Sequence, residues 1–185
     1  MFLAAYADES YDLPLGVYIL TASLVDLTEA EAIRDALYAL QSGPHKVHWY
    51  KSAERRRADL AKVVQKASFM HNVVIGRGRA LKPERARRKC LEALLVELDA
   101  MKIDSLLLES RQERNNLLDR QIVSACRRKG LVSQHLHVSF APGTATPLLW
   151  IPDVVCGAVL AAERGNPAYL EMIGDAVHSI EIEVR

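Results

Sequence analysis

Over residues 2 to 9 the side chains alternate with a period of two, so a strand there puts Phe2, Ala4, Tyr6 and Asp8 on one face and Leu3, Ala5, Ala7 and Glu9 on the other. Tyr11 to Gly16 carries an Asp, a Pro and a Gly, the chemistry of a hairpin turn. Val17 to Val25 supplies the returning strand. The period then changes. Thr28 with Glu31 three residues on has the form of a capping box, and Ile33, Ala36, Leu37 and Leu40 follow at helical spacing until Gly43-Pro44.

Beyond a short mixed segment, His45 to Lys51, the pattern predicts a basic-faced helix over 53–71 and a strand over 72–80. Pro83 opens an amphipathic helix to about Met101 through Ala86, Cys90, Leu94 and Leu98. Ser105 to Glu109 is a short aliphatic run of the kind found in a buried central strand. A helix over 112–129 stopped by Gly130, a strand over 135–140 and a helix over 148–163 come next. A short helix and a final polar strand near 178–184 close the chain. A leading antiparallel hairpin followed by β/α alternation predicts an α/β fold with a mixed sheet and flanking helices.

Composition narrows this further. The 185 residues carry 24 Lys and Arg against 23 Asp and Glu, a formal net charge of +1, so bulk charge alone does not bind a polyanion. That length, without a repeat or linker, suits one domain over 1–185. Cys90, Cys126 and Cys156 form no CxxC pair and read as reduced thiols in a cytoplasmic protein. No run reaches a membrane span, and no basic leader precedes the first acids. P-loop, GxGxxG and GxSxG patterns are absent, which demotes nucleotide-fuelled and acyl-transfer chemistry.

Four carboxylates stand out by their surroundings. Asp8 lies near the end of the first strand, and Glu109 ends Leu106-Leu107-Leu108, at the strand edge where α/β sheets place their sites. Asp153 interrupts a helix that Trp150, Ile151, Val154, Val155, Ala158, Val159 and Leu160 make apolar almost all round. Gly157, one turn on, would let that helix approach the sheet. Asp119 flanks the stripe of Leu118, Ile122 and Ala125. A buried carboxylate without a partner costs several kcal/mol, so a cation, a proton or a metal is required. Converging acids without His or Cys ligands suit hard cations, Mg²⁺ or Mn²⁺, and two such ions activating a water are the basis of phosphodiester hydrolysis. Each acid also has an ordinary reading. Asp8 is a hairpin acid, Glu109 a solvated loop residue, Asp119 a partner of a nearby Arg, and Asp153 a helix N-terminal acid favoured by the dipole.

Tyr6-Ala7-Asp8-Glu9-Ser10 resembles the D-E-S strand end that begins the ribonuclease-H-like family catalogued as domain of unknown function thirty-eight hundred. Ile151-Pro152-Asp153-Val154-Val155-Cys156-Gly157-Ala158 is similar to that family's closing helix, His45 to Lys51 to its His/Lys-Trp segment, and Leu106 to Glu109 to its mid-chain acidic strand. Tyr11 stands where the family has glycine, and Pro152 where it has alanine. The resemblance implies a ribonuclease-H-like fold and a metal-dependent nuclease. Asp8, Glu109 and Asp153 would be ligands, Asp119 a fourth ligand or positioning acid, and Glu9 an outer-shell group.

Arg55-Arg56-Arg57, Arg85-x-Arg87-Arg88-Lys89 and Arg127-Arg128-Lys129 are solvated helix faces or, if two flank the acids, a grip on the phosphate backbone of DNA or RNA. His48, Trp49 and Tyr50 offer a stacking surface, with Lys51 beside them for substrate, unless Trp49 is a core anchor. His135 and His137 would share one side of their strand, a weak transition-metal signal. The alternative to a nuclease is a catalytically silent partner-binding module of a defence or toxin-like system, with the apolar helix 148–160 as the interface for a partner or a homodimer.

Overall fold

A computed structural model describes residues 2–41, 46–67 and 70–185; Gly43-Pro44 and His45 lie outside them. β1 (Leu3–Asp12) and β2 (Val17–Asp26) form the expected hairpin, with β1 running three residues past Glu9 because the pairing continues to Asp12↔Val17. Its turn closes through Gly16, whose φ of +72° is the left-handed geometry glycine adopts at no steric cost. Helices α1 (Ala30–Tyr38) and α2 (Glu54–Ala67) follow, then β3 (Met70–Arg77) and α3 (Pro83–Ala100). The chain continues through β4 (Ser105–Glu109), α4 (Glu113–Arg128), β5 (His137–Ala141), α5 (Trp150–Glu163), α6 (Ala168–Ile173) and β6 (Val177–Glu183).

The six strands lie in the order β5-β4-β1-β2-β3-β6. β2 runs antiparallel to both of its neighbours, β1 and β3, whereas β4, β5 and β6 join in parallel, so the sheet is mixed as expected. Alternation along the strands gives it two apolar faces. Ala4, Tyr6, Ile19 and Val73 meet α1, α2, α5 and α6 on one side. Ala5, Ala7, Leu20 and Val74 meet α3 and α4 on the other. Leu91, Leu94, Leu95 and Leu98 of α3 are fully buried there, and truncating any one to Ala costs roughly 2–5 kcal/mol.

Three expectations change. Thr28 does not cap α1, because Asp26 Oδ1 accepts both its N–H (3.1 Å) and its hydroxyl (2.9 Å), and the helix begins at Ala30. β5 begins at His137, so His135 lies before the strand and the pair has no shared strand face. The apolar α5 is no free interface: Val154, Val155, Cys156 and Ala158 are buried against β1, β2, α2 and α6 within the chain, which removes the surface on which a homodimer was expected. Among the described residues no helix is long and apolar enough to cross a membrane.

Candidate active site

Three carboxylates arrive at one place by separate routes. Parallel pairing aligns Ala5 with Leu106, Tyr6 with Leu107 and Ala7 with Leu108, so the next position in register sets Asp8 beside Glu109. Both point to the α5 face, because Ala4 and Tyr6 on β1 and Leu107 on β4 pack on that side. Asp153 comes down from the first turn of α5. One turn further, the Cys156 thiol lies 3.3 Å from the Asp8 carbonyl oxygen and 3.1 Å from Thr21 Oγ1, which fixes α5 over the β1–β2 pair.

Lys46, on the chain leading from α1 to α2, enters the middle of this group. Its ammonium pairs with Glu109 and lies 3.5 Å from Asp8 Oδ2, and only 7% of its side chain is exposed. Asp8 Oδ1 accepts the backbone N–H of Glu9 at 2.8 Å, and Asp153 Oδ2 accepts that of Trp49 at 3.0 Å. Gly143, just after β5, lets the backbone close on the pair: a Cβ there would stand 2.6 Å from both Glu109 Oε1 and Lys46 Cδ.

Burial dominates the electrostatics. It pushes the Asp8 carboxyl well above the usual carboxylate range; Lys46 opposes the rise, and the charges of Glu109, Glu9 and Asp153 add to it. Burial likewise raises Asp153, against Lys46 and the Trp49 N–H. Burial acts to lower Lys46, yet Asp8, Asp153 and Glu109 together outweigh it and the ammonium stays charged. His48 is lowered by burial and by Lys46, so it is neutral at neutral pH. One ammonium therefore faces three carboxylates, Asp8, Glu109 and Asp153, and the ionised forms of Asp8 and Asp153 are disfavoured by burial despite it.

No protein-family model matches the chain, and no curated protein matches it. Among solved structures, a chain from "Structure of the PCNA:RNase HII complex from Archaeoglobus fulgidus" is similar with a TM-score of 0.54 and 16% sequence identity, over 95% of this chain and 79% of that chain. The fold is ribonuclease-H-like.

Within this ribonuclease-H-like sheet, the other acids singled out in the sequence go elsewhere. Asp119 does not face the Asp8 cleft. It sits on α4 against the opposite face, 1% exposed, held by Arg87 (3.0 Å) and Arg111 (3.0 Å). The buried face of α4 includes Asp119, Ile122, Val123 and Cys126, with Leu118 left exposed, and it packs on α3 rather than α5, so the helix delivers Asp119 to an arginine. The Glu9 side chain alternates away from Asp8, and Arg87 Nη1 takes its carboxylate at 2.6 Å, so it joins that ion network while its backbone N–H still holds Asp8 Oδ1.

Trp49 is a core anchor. It is 6% exposed, it meets Tyr169 edge-on, and it fills the space Gly157 leaves. The glycine thus admits an indole, not the sheet. Tyr50, 69% exposed, and His48 remain as the aromatic surface, their rings 5.7 Å apart. Lys51 is exposed beside them.

The cleft divides at Lys46, His48, Glu109 and Ser110. One arm holds Asp8 and Asp153; the other is lined by Lys51, Arg56 and Thr144. Of the three basic clusters, only that of α2 reaches the cleft. The clusters on α3 and α4 lie on the opposite layer, where Arg87 is buried and Arg127 donates to the Leu136 carbonyl.

Sequence reasoning missed Lys46. Its signal was present in the lysine three residues before Trp49, but a single lysine in a mixed loop has no periodicity to mark it. Among the described residues no three His, Cys, Asp or Glu side chains are arranged ready to hold a metal ion. The ammonium takes the centre. The chemistry of the donors, all oxygen and from three elements, is nevertheless the kind a hard divalent cation takes.

Proposed function

We propose that this protein hydrolyses nucleic-acid phosphodiester bonds at the Asp8–Glu109–Asp153 cluster with Mg²⁺ or Mn²⁺ bound there. The observation that carries the reading is the convergence of three carboxylates, from β1, β4 and α5, around a single ammonium. The ribonuclease-H-like fold, and the likeness of the Asp8 and Asp153 segments to the family of unknown function named above, support it. The RNase HII of the similar structure lends an analogy of fold only.

In this reading Asp8, Glu109 and Asp153 hold the metal, which when bound supplies a polarised phosphoryl oxygen and a water of lowered pKa. The chain's own residues do the rest. Lys51 and Arg56 in the adjoining arm hold the phosphate backbone, and the neutral His48 with Tyr50 offers a face for a base. The rigid seat of Trp49 keeps the Asp153 carboxylate aimed by its N–H bond.

The second reading is a catalytically silent ribonuclease-H-like module that binds a partner, and the observation favouring it is Lys46, which fills the cluster with the protein's own cation. One assay separates the two. Labelled single-stranded, duplex and hybrid DNA and RNA substrates are incubated with Mn²⁺ and either the wild-type protein or an Asp8→Asn, Asp153→Asn double variant. Cleavage by the wild type alone supports the nuclease. Equal cleavage by both, or none by either on every substrate, rejects it.

A further inference from the structure

Lys46 has features an ordinary surface lysine lacks. Its side chain is buried, its ammonium touches Asp8 and Glu109, and it acts electrostatically on Asp153 as well. It is thus the shared counter-ion of all three carboxylates that the nuclease reading assigns to the metal. It also borders both arms of the cleft, the acidic one and the one lined by Lys51 and Thr144. A lysine suits such an exchange: it is a compact charge on a flexible four-carbon stem, whereas a guanidinium would lock two carboxylates in a fixed fork.

Resting on the metal-nuclease reading, we propose that Lys46 is a built-in counter-ion of the carboxylate cluster, that it and the divalent cation exclude each other, and that metal entry turns its ammonium into the basic arm. The physical ground is charge balance. Without metal, three clustered carboxylates lacking Lys46 would repel one another with nothing between them; with metal, a lysine left in place would be a like charge against the ion. The exchange thereby links metal binding to the substrate arm. The displaced ammonium joins Lys51 and Arg56, adding one positive charge where the phosphate backbone lies.

The test measures Mn²⁺ binding itself by titration calorimetry on the full-length wild type, Lys46→Gln and Lys46→Arg. Lys46→Gln is expected to bind Mn²⁺ at least ten-fold more tightly than wild type, and Lys46→Arg more weakly. A footprint on the wild type needs no variant to fold: reductive methylation followed by mass spectrometry is expected to find the Lys46 amine protected without Mn²⁺ and reactive with it. Mn²⁺ binding of equal strength by wild type and Lys46→Gln, or a Lys46 amine equally protected with Mn²⁺ bound, overturns the exchange and leaves the metal site standing. No Mn²⁺ binding by wild type or Lys46→Gln overturns the metal site and the exchange together.

Discussion

Trp49 and Gly157 touch so closely that a Cβ on residue 157 would stand 2.1 Å from Trp49 Cδ1. The contact ties the chain before α2 to α5, and the consequence is read one turn back, where the Trp49 N–H holds Asp153. Gly157→Ala must displace the indole by more than an ångström. Overpacking of this kind costs roughly 1–3 kcal/mol. The expected result is a lower melting temperature together with weaker Mn²⁺ binding; an unchanged melting temperature would show that Trp49 relocates freely.

Asp8→Asn separates function from stability. Its carboxyl is pushed up chiefly by burial, so the ionised form is held at a cost, and a neutral amide of the same shape removes that cost. The variant should be more stable than wild type by about 0.5–2 kcal/mol in urea, within the range of single stabilising changes. Its Mn²⁺-dependent cleavage should fall by about 100-fold or more, since even groups behind a metal ligand are worth 10–100-fold. A destabilised Asp8→Asn would mean that the Lys46 pairing outweighs the burial.

Arg87 is 1% exposed and binds Glu9 at 2.6 Å and Asp119 at 3.0 Å, joining β1, α3 and α4 on the face opposite the carboxylate cluster. Arg87→Ala leaves Asp119 and Glu9 without their main counter-charge. Breaking a buried pair from one side costs about 3–5 kcal/mol. Chemical unfolding should show that loss. In the folded protein the Mn²⁺ affinity should stay within about two-fold of wild type, because Arg87 and Asp119 lie across the sheet from the site. A large change in Mn²⁺ affinity would place Asp119 functionally with Asp8 after all.

His71 is fully buried in β3, with Nδ1 2.8 Å from Ser23 Oγ and no partner for Nε2 among the described residues, and burial lowers its pKa to about 4. The unfolded chain therefore takes up the proton first. This contribution to stability is complete above the unfolded value of about 6.5 and is lost as pH falls through the folded value, about 3 kcal/mol in all by pH 4. Asp8 and Asp153, raised by burial, act in the opposite sense as they protonate. The comparison is thus made between wild type and His71→Gln, by urea unfolding at pH 7 and pH 4.5. The wild type should lose more stability over that interval; parallel losses would remove His71 as the cause.

Strand and helix periodicity made most of the architecture legible in the sequence, because burial writes a repeat of two or 3.6 into the chain. The hairpin, the aliphatic β4 and the all-round apolar α5 follow directly from it, and so does the mixed sheet. The same reading singled out Asp8, Glu109 and Asp153 as acids in apolar company. Which of them meet was a matter of register and packing. Asp8 stands beside Glu109 because Ala7 pairs with Leu108, and Asp153 joins them because Cys156 and Gly157 seat α5 against β1 and Trp49. Asp119 looked equivalent and went to Arg87, since a flanking position on one helix does not say which layer of the sheet that helix covers. No periodicity marked Lys46: its partners lie 38, 63 and 107 residues away along the chain, and electrostatic attraction acts on distance in space, which only the fold supplies.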